Sequence, residues 1–232
     1  MVECVIFDFG DTLVDYPLRD RDGQISYIVE FIEKMAAVKA VSLKGFESAV
    51  SFANRLNFEK PDNSTWPFVE RVRSDSFFGS QFSLADAIRL ERAICDGVFS
   101  SAKELPDARP ALLDLRERGI RTGIVSNLPW GTSSAIWCEE FARRGFGSEL
   151  IDQVVCCVDV GYRKPHPAAV MECVRRLNCN PSQSVYVGDR PSDILAGKLA
   201  GVRTILIHRR DDSHTDEADS VIYDLRDLGQ VL

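Results

Sequence analysis

Short apolar segments alternate with helical patterns through most of the chain, and this alternation limits the folds open to it. Five of the segments are uninterrupted and rich in β-branched residues, as expected of strands covered by helices on both faces. They occupy residues 3–7, 122–126, 153–158, 184–188 and 203–207. Helical patterns between them occupy residues 108–119, 166–178 and 191–201. This order predicts βαβ units and an α/β fold with a doubly wound, Rossmann-like parallel sheet.

The stretch after the first strand breaks this rhythm. It contains helical patterns and no convincing strand, over about ninety residues, which is too long for one crossover connection. The patterns lie at residues 25–38, 43–56, 66–78 and 84–99. We therefore predict a catalytic core formed by residues 1–15 and 105–232, interrupted by an inserted α-helical cap at residues 16–104.

Composition and charge exclude several classes of protein. The hydrophobic fraction of 45% is sufficient for a substantial core, and the net charge of −7 argues against nucleic acid or an anionic membrane as partner. A small phosphorylated ligand remains compatible, since it needs only local positive charge. We see no targeting segment, no apolar stretch that could span a bilayer and no Cys-x-x-Cys pair among the seven cysteines. These features are typical of a cytoplasmic protein with reduced thiols.

Polar side chains follow four of the predicted strands at the points where the strands end. In open α/β sheets, ligands bind beyond the carboxyl ends of the strands, so we expect these side chains to meet at one edge. Clustered carboxylates repel unless a cation lies between them, and such oxygen ligands beside a phosphate suit Mg²⁺. A lysine and a hydroxyl would serve the remaining phosphoryl oxygens. The side chains, in strand order, belong to Asp8, then Ser126 and Asn127, then Lys164, then Asp189 with Asp193.

The ordered set resembles the haloacid dehalogenase-like hydrolases, specifically their phosphatases with a small helical cap. The first motif is read as Asp8-Phe9-Gly10-Asp11-Thr12 and the second as Ser126. The third is Lys164 before Pro165, and the fourth is Gly188-Asp189 followed by Asp193. The resemblance covers the predicted core, and the insert corresponds to the cap. It implies a hydrolase acting on a small phosphorylated metabolite, with specificity supplied by the cap.

The resemblance also implies a role for each matched residue. Asp8 would attack phosphorus and carry an aspartyl-phosphate, which divides one difficult displacement into two. Mg²⁺ would be held by Asp8, the backbone carbonyl of Gly10 and Asp189, with Asp193 orienting Lys164 or a metal-bound water. The phosphoryl group would contact Ser126, Asn127 and Lys164.

One position departs from the family pattern. The acid–base aspartate normally lies two residues after the nucleophile, where this chain has Gly10, and the acid here is Asp11. Asp11 could reach back and act as the acid–base group. It could instead cap the turn while water or the substrate transfers the proton. A third interpretation is a weakly active or non-catalytic relative that binds a phosphorylated ligand.

Two further functions compete with the phosphatase. A 2-haloacid dehalogenase uses the same aspartate without metal, but the acidic site at Asp189 and Asp193 argues against it. A phospho-receiver module also joins acids, lysine and a hydroxyl, but its phosphorylated aspartate follows the third strand. The sequence contains no indicator of oligomeric state.

Overall fold

A six-stranded parallel sheet forms the centre of the protein. The computed structural model describes residues 2–16, 30, 33, 60–75, 80, 82–209 and 217–232. The strands of the sheet are β1 Cys4–Phe7, β4 Arg121–Ser126, β5 Gln153–Cys156, β6 Ser184–Gly188, β7 Arg203–Ile207 and β8 Ser220–Ile222; two further strands, described below, lie outside this sheet. The spatial order is β5-β4-β1-β6-β7-β8, and every neighbouring pair is parallel. The predicted α/β fold with a doubly wound, Rossmann-like sheet is confirmed.

Helices cover both faces of this sheet, and the insert contributes two more, α1 and α2, whose bounds follow. In chain order, the helices whose bounds lie within the described residues are α1 Phe68–Ser74, α2 Leu84–Ser100, α3 Ala108–Glu117, α4 Ser134–Arg143, α5 Cys157–Val160, α6 Ala168–Arg176, α7 Pro191–Leu199 and α8 Leu228–Val231. Short 3₁₀ turns occur at Pro129–Gly131, Pro181–Gln183 and Leu225–Asp227. Among the described residues, no helix has both the length and the apolar character that crossing a membrane requires.

Alternation along β1 explains why its sequence is apolar throughout. Val5 and Phe7 pack in one buried cluster with side chains of α3 and α4, whereas Cys4 and Ile6 pack in a second cluster with side chains of α6. Successive side chains of a strand point to opposite faces, so a strand between two helical layers needs apolar residues at every position. The predicted strand at 153–158 is two residues too long, because Cys157–Val160 turns into helix α5.

The register of the central strands brings their carboxyl ends to one edge. Phe7 lies opposite both Ile124 of β4 and Val187 of β6. The residues that follow each strand, among them Asp8 and Asp189, therefore lie on the same rim of the sheet.

The described residues include part of the predicted insert. The helices expected at 66–78 and 84–99 are present as α1 and α2, whereas those expected at 25–38 and 43–56 lie outside the described residues except for Glu30 and Glu33, both helical. The expectation that this stretch has no strand was wrong. Lys103–Glu104 forms β3, which pairs antiparallel with β2, Val14–Asp15. The boundaries of the cap remain a prediction.

Candidate active site

Three buried carboxylates meet at the carboxyl edge of the sheet. Asp8 follows β1, Asp189 follows β6 and Asp193 lies in the first turn of α7. One oxygen from each lies within 4.8 Å of the other two. The backbone N–H of Asp8 donates to the carbonyl of Val187 at 2.8 Å, which fixes the end of β1 beside β6. The convergence expected from the sequence is therefore present for these residues.

Lys164 completes this cluster from the loop before α6. Its Nζ lies 2.5 Å from Asp8 Oδ1 and 2.7 Å from Asp193 Oδ1, with only 3% of the side chain exposed. Asn127, just after β4, holds the Lys164 backbone from both sides, accepting from its N–H at 2.9 Å and donating to its carbonyl at 3.1 Å. Asn127 thus positions Lys164, and its contact with phosphate stays a prediction. Ser126 ends β4 and is buried.

Tyr186 is a member of the site that sequence reasoning missed. Its hydroxyl accepts a hydrogen bond from Lys164 Nζ at 2.9 Å and donates to Asp193 Oδ1 at 3.3 Å. The residue lies in the middle of β6, and its side chain is fully buried. A buried tyrosine hydroxyl usually requires a polar partner, so a tyrosine inside an apolar strand could have indicated a polar group beside it.

Gly10 and Asp11 lie in the loop that follows β1 and Asp8. Asp11 is buried, has a φ of +66° and donates its backbone N–H to the Val14 carbonyl at 2.7 Å. Its Oδ2 lies 3.5 Å from an Arg190 guanidinium nitrogen, so its side chain pairs with a cation at the rim of the site. Arg190 was also missed, because it is not a motif residue.

Burial and repulsion from neighbouring carboxylates raise the pKa values of Asp8 and Asp189 when no cation is bound. Burial, together with the charges of Asp8, Asp193 and Asp11, raises the pKa of Asp189 to about 8. Burial raises the pKa of Asp8 to about 6, although Lys164 opposes that shift. Burial alone would lower the pKa of Lys164, but the charges of Asp193 and Asp8 raise it well above its ordinary value. The two carboxylates therefore favour the charged form of the lysine.

The donor set fits a hard divalent cation. Asp189 Oδ1 is buried and accepts no hydrogen bond in the described part of the structure. A buried acceptor without a partner is costly, and a cation beside it would remove both that cost and the repulsion between the carboxylates. Oxygen ligands of this kind suit Mg²⁺.

These pKa shifts predict an unusual pH dependence of stability in a chelator. The unfolded chain releases these protons near pH 4, whereas folded Asp8 and Asp189 keep them until about pH 6 and pH 8. The free energy of unfolding should therefore fall between about pH 4 and pH 8, by on the order of a few kcal/mol. Thermal melts in EDTA at several pH values measure this. Asp189→Asn should reduce the fall of stability with pH. The same fall in variant and wild type would contradict a raised pKa for Asp189.

Comparison with known proteins identifies the family. The family model of the haloacid dehalogenase-like hydrolases matches residues 2–201, which include all the site residues described above. The chain belongs to this family. The sequence-based assignment to these hydrolases is therefore confirmed.

Two similar proteins are named as phosphatases of a small phosphorylated sugar, and one similar structure was solved with a sugar bisphosphate. A glyceraldehyde 3-phosphate phosphatase of Methanopyrus kandleri is 36% identical over 90% of this chain and 85% of its own length. Another, of Methanothermobacter thermautotrophicus, is 29% identical over the full length of both chains. The fold matches CbbY of Rhodobacter sphaeroides, solved with xylulose-(1,5)bisphosphate, with a TM-score of 0.66, 18% identity and coverage of 99% and 97%. The prediction of a phosphatase-type hydrolase is confirmed by the curated relatives.

Proposed function

We propose that this haloacid dehalogenase-like hydrolase is an Mg²⁺-dependent phosphatase of small phosphorylated sugars that works through a phosphorylated Asp8. The observation that carries the proposal is the position of the Asp8 carboxylate, which contacts the Lys164 ammonium and lies within 4.8 Å of the Asp189 carboxylate, whose buried Oδ1 accepts no hydrogen bond in the described part of the structure. The activities of the curated relatives support this substrate class.

The chain offers three groups to hold the metal: the carboxylates of Asp8 and Asp189 and the backbone carbonyl of Gly10. When bound, Mg²⁺ would neutralise charge on the carboxylates and on the phosphoryl oxygens. The contacts of Asp193 indicate a different role. Its Oδ1 contacts Lys164 Nζ, and its Oδ2 accepts a hydrogen bond from the backbone N–H of Arg190 at 3.0 Å. We therefore assign Asp193 to positioning Lys164, with a metal contact as the alternative.

Asp8 acts as the nucleophile in this account. Lys164 engages its Oδ1, which leaves Oδ2 to attack phosphorus; the new Asp8–phosphorus bond forms as the bond to the sugar oxygen breaks. Lys164 and the Ser126 hydroxyl stabilise charge on the phosphoryl oxygens. Water then attacks phosphorus, which releases inorganic phosphate and regenerates the Asp8 carboxylate.

The leaving sugar oxygen needs a proton, and the residue that supplies it in relatives is replaced by Gly10. Asp11 lies in a left-handed turn and pairs with Arg190, an arrangement that supports a structural role over acid–base catalysis. We propose that water or the substrate supplies this proton.

Gly10→Asp is therefore expected to increase turnover of sugar phosphates, by up to about 10²-fold, and to change turnover of aryl phosphates little. An aryl leaving group scarcely needs a proton, whereas a sugar alkoxide does. The substitution is sterically possible, because Gly10 does not have a left-handed φ and an added Cβ would lie 3.7 Å from carbons of the Tyr16 ring. Steady-state kinetics on both substrate types measure the effect.

Asp11→Asn is the companion variant, because asparagine tolerates the left-handed φ of this position. It should leave the ratio of sugar to aryl phosphate turnover unchanged. A selective loss on sugar phosphates would identify Asp11 as the acid and overturn this part of the proposal.

The function itself is tested by measuring phosphate release from a panel of phosphorylated metabolites, including glyceraldehyde 3-phosphate, with and without Mg²⁺. We expect turnover of small sugar phosphates that depends on Mg²⁺. Halide release from 2-haloacids in excess chelator, without phosphatase activity, would instead establish the dehalogenase function.

A further inference from the structure

Arg190 stands on the solvent side of the carboxylate cluster. Its guanidinium group lies 3.5 Å from Asp11 Oδ2 and 3.9 Å from Asp189 Oδ2. The side chain is 63% exposed, whereas those of Asp11 and Asp189 are 8% and 4% exposed. Arg190 therefore borders the buried acids from outside, while Lys164 contacts Asp8 and Asp193 from within.

The contacts of Arg190 with Asp11 and Asp189 are long, so its guanidinium group can exchange them for another anion. Both distances exceed the usual 2.7–2.9 Å or so of a strong charge-assisted hydrogen bond. An exposed arginine held by long contacts loses little when it turns toward another anion. Its planar guanidinium group matches the oxygens of a phosphate.

The positive charge of Arg190 affects the two ligands of the proposed site differently: it repels the metal cation and attracts the phosphoryl group. A divalent cation held by Asp189 would lie close to the guanidinium group, and like charges repel. An arriving phosphoryl group would be attracted by the guanidinium group and by Lys164. A bound phosphate would also neutralise Arg190 and so remove its repulsion of the metal.

The geometry points to Arg190 as an anion-recognition residue that binds a phosphoryl oxygen of the substrate and weakens Mg²⁺ binding until phosphate arrives. The inference rests on the proposed function, because it extends that same site. Binding of phosphate would then increase the affinity for Mg²⁺, and binding of Mg²⁺ would increase the affinity for phosphate. Arg190 would be the group that couples the two.

Isothermal titration calorimetry with Mg²⁺ alone provides the first test. Arg190→Gln removes the charge and should bind Mg²⁺ about three- to tenfold more tightly than wild type. Arg190→Lys keeps the charge and should stay close to wild type. Arg118→Gln is the matched control, because Arg118 also pairs with a carboxylate, Asp114, but that pair is exposed at the C-terminal end of α3.

Titration of inorganic phosphate at saturating Mg²⁺ provides the second test. Arg190→Gln should bind phosphate about tenfold more weakly, and Arg118→Gln should not differ from wild type. Opposite shifts for the two ligands support the inference. Unchanged affinities, shifts in the same direction, or equal shifts in Arg118→Gln would overturn the inference and leave the proposed function standing. Failure of wild type to bind Mg²⁺ or phosphate would overturn both, so the two failures give different results.

Discussion

Replacing Asp8 with asparagine is expected to reduce phosphatase turnover at least about 10²-fold while the protein stays folded. The amide has almost the same shape but is neutral and does not attack phosphorus. The substitution also relieves repulsion among the buried carboxylates, so we expect no loss of stability in metal-free protein. Initial rates on a sugar phosphate, together with thermal melts, measure both effects.

Asp114→Asn is the matched control for this variant, since it makes the same chemical change on the exposed side of α3. It should retain wild-type turnover after identical purification. Residual turnover of Asp8→Asn above about 1% of wild type, with the control showing no contaminating phosphatase, would exclude Asp8 as nucleophile.

The second large effect is expected from loss of the metal or of its ligand Asp189. Excess chelator should abolish turnover, and added Mg²⁺ should restore it. Asp189→Asn should weaken Mg²⁺ binding at least about tenfold and lower turnover about 10²-fold, because one of two proposed carboxylate ligands becomes a neutral amide. Calorimetry and initial rates at several Mg²⁺ concentrations measure the two quantities.

Asp193→Asn separates the metal role from the positioning role. Asp193 contacts Lys164 Nζ at 2.7 Å, so its variant should lose turnover while Mg²⁺ affinity changes much less than in Asp189→Asn. Equal losses of Mg²⁺ affinity in the two variants would assign Asp193 to the metal. Undiminished Mg²⁺ binding by Asp189→Asn would contradict the metal site that we propose.

The sheet and the convergence of its polar residues were predictable because each depends on a local pattern. Uninterrupted apolar runs fit strands between two helical layers, and parallel strands bring their carboxyl ends to one edge. The second pattern predicts that Asp8 and Lys164 lie close together, although 156 positions separate them in sequence. The strands that were missed are short: β8 has three residues, and β2 and β3 have two each. Such lengths are too small to show periodicity.

The missed site residues have a different cause. In the sequence, Tyr186 is one more position of an apolar strand. Its contacts with Lys164 and Asp193 depend on how α7 and the loop before α6 pack against β6, which no local pattern indicates. Arg190 occupies a variable position between the two motif aspartates, so the motif assigns it no role. The left-handed conformation of Asp11 is not predictable from the motif either, because the spacing of the aspartates does not indicate which residue of the loop adopts it. Motif spacing therefore predicted which groups meet, but not their orientations or their outer partners.

Chemical trapping of the phosphorylated enzyme tests the central claim most directly. The protein is mixed with Mg²⁺ and a sugar phosphate that it hydrolyses, then treated with borohydride, which reduces an aspartyl-phosphate to homoserine. Peptide mass spectrometry should find homoserine at position 8, only when substrate and Mg²⁺ are both present. Phosphate release from the same mixture without homoserine at position 8, or with homoserine at another aspartate, would contradict the account.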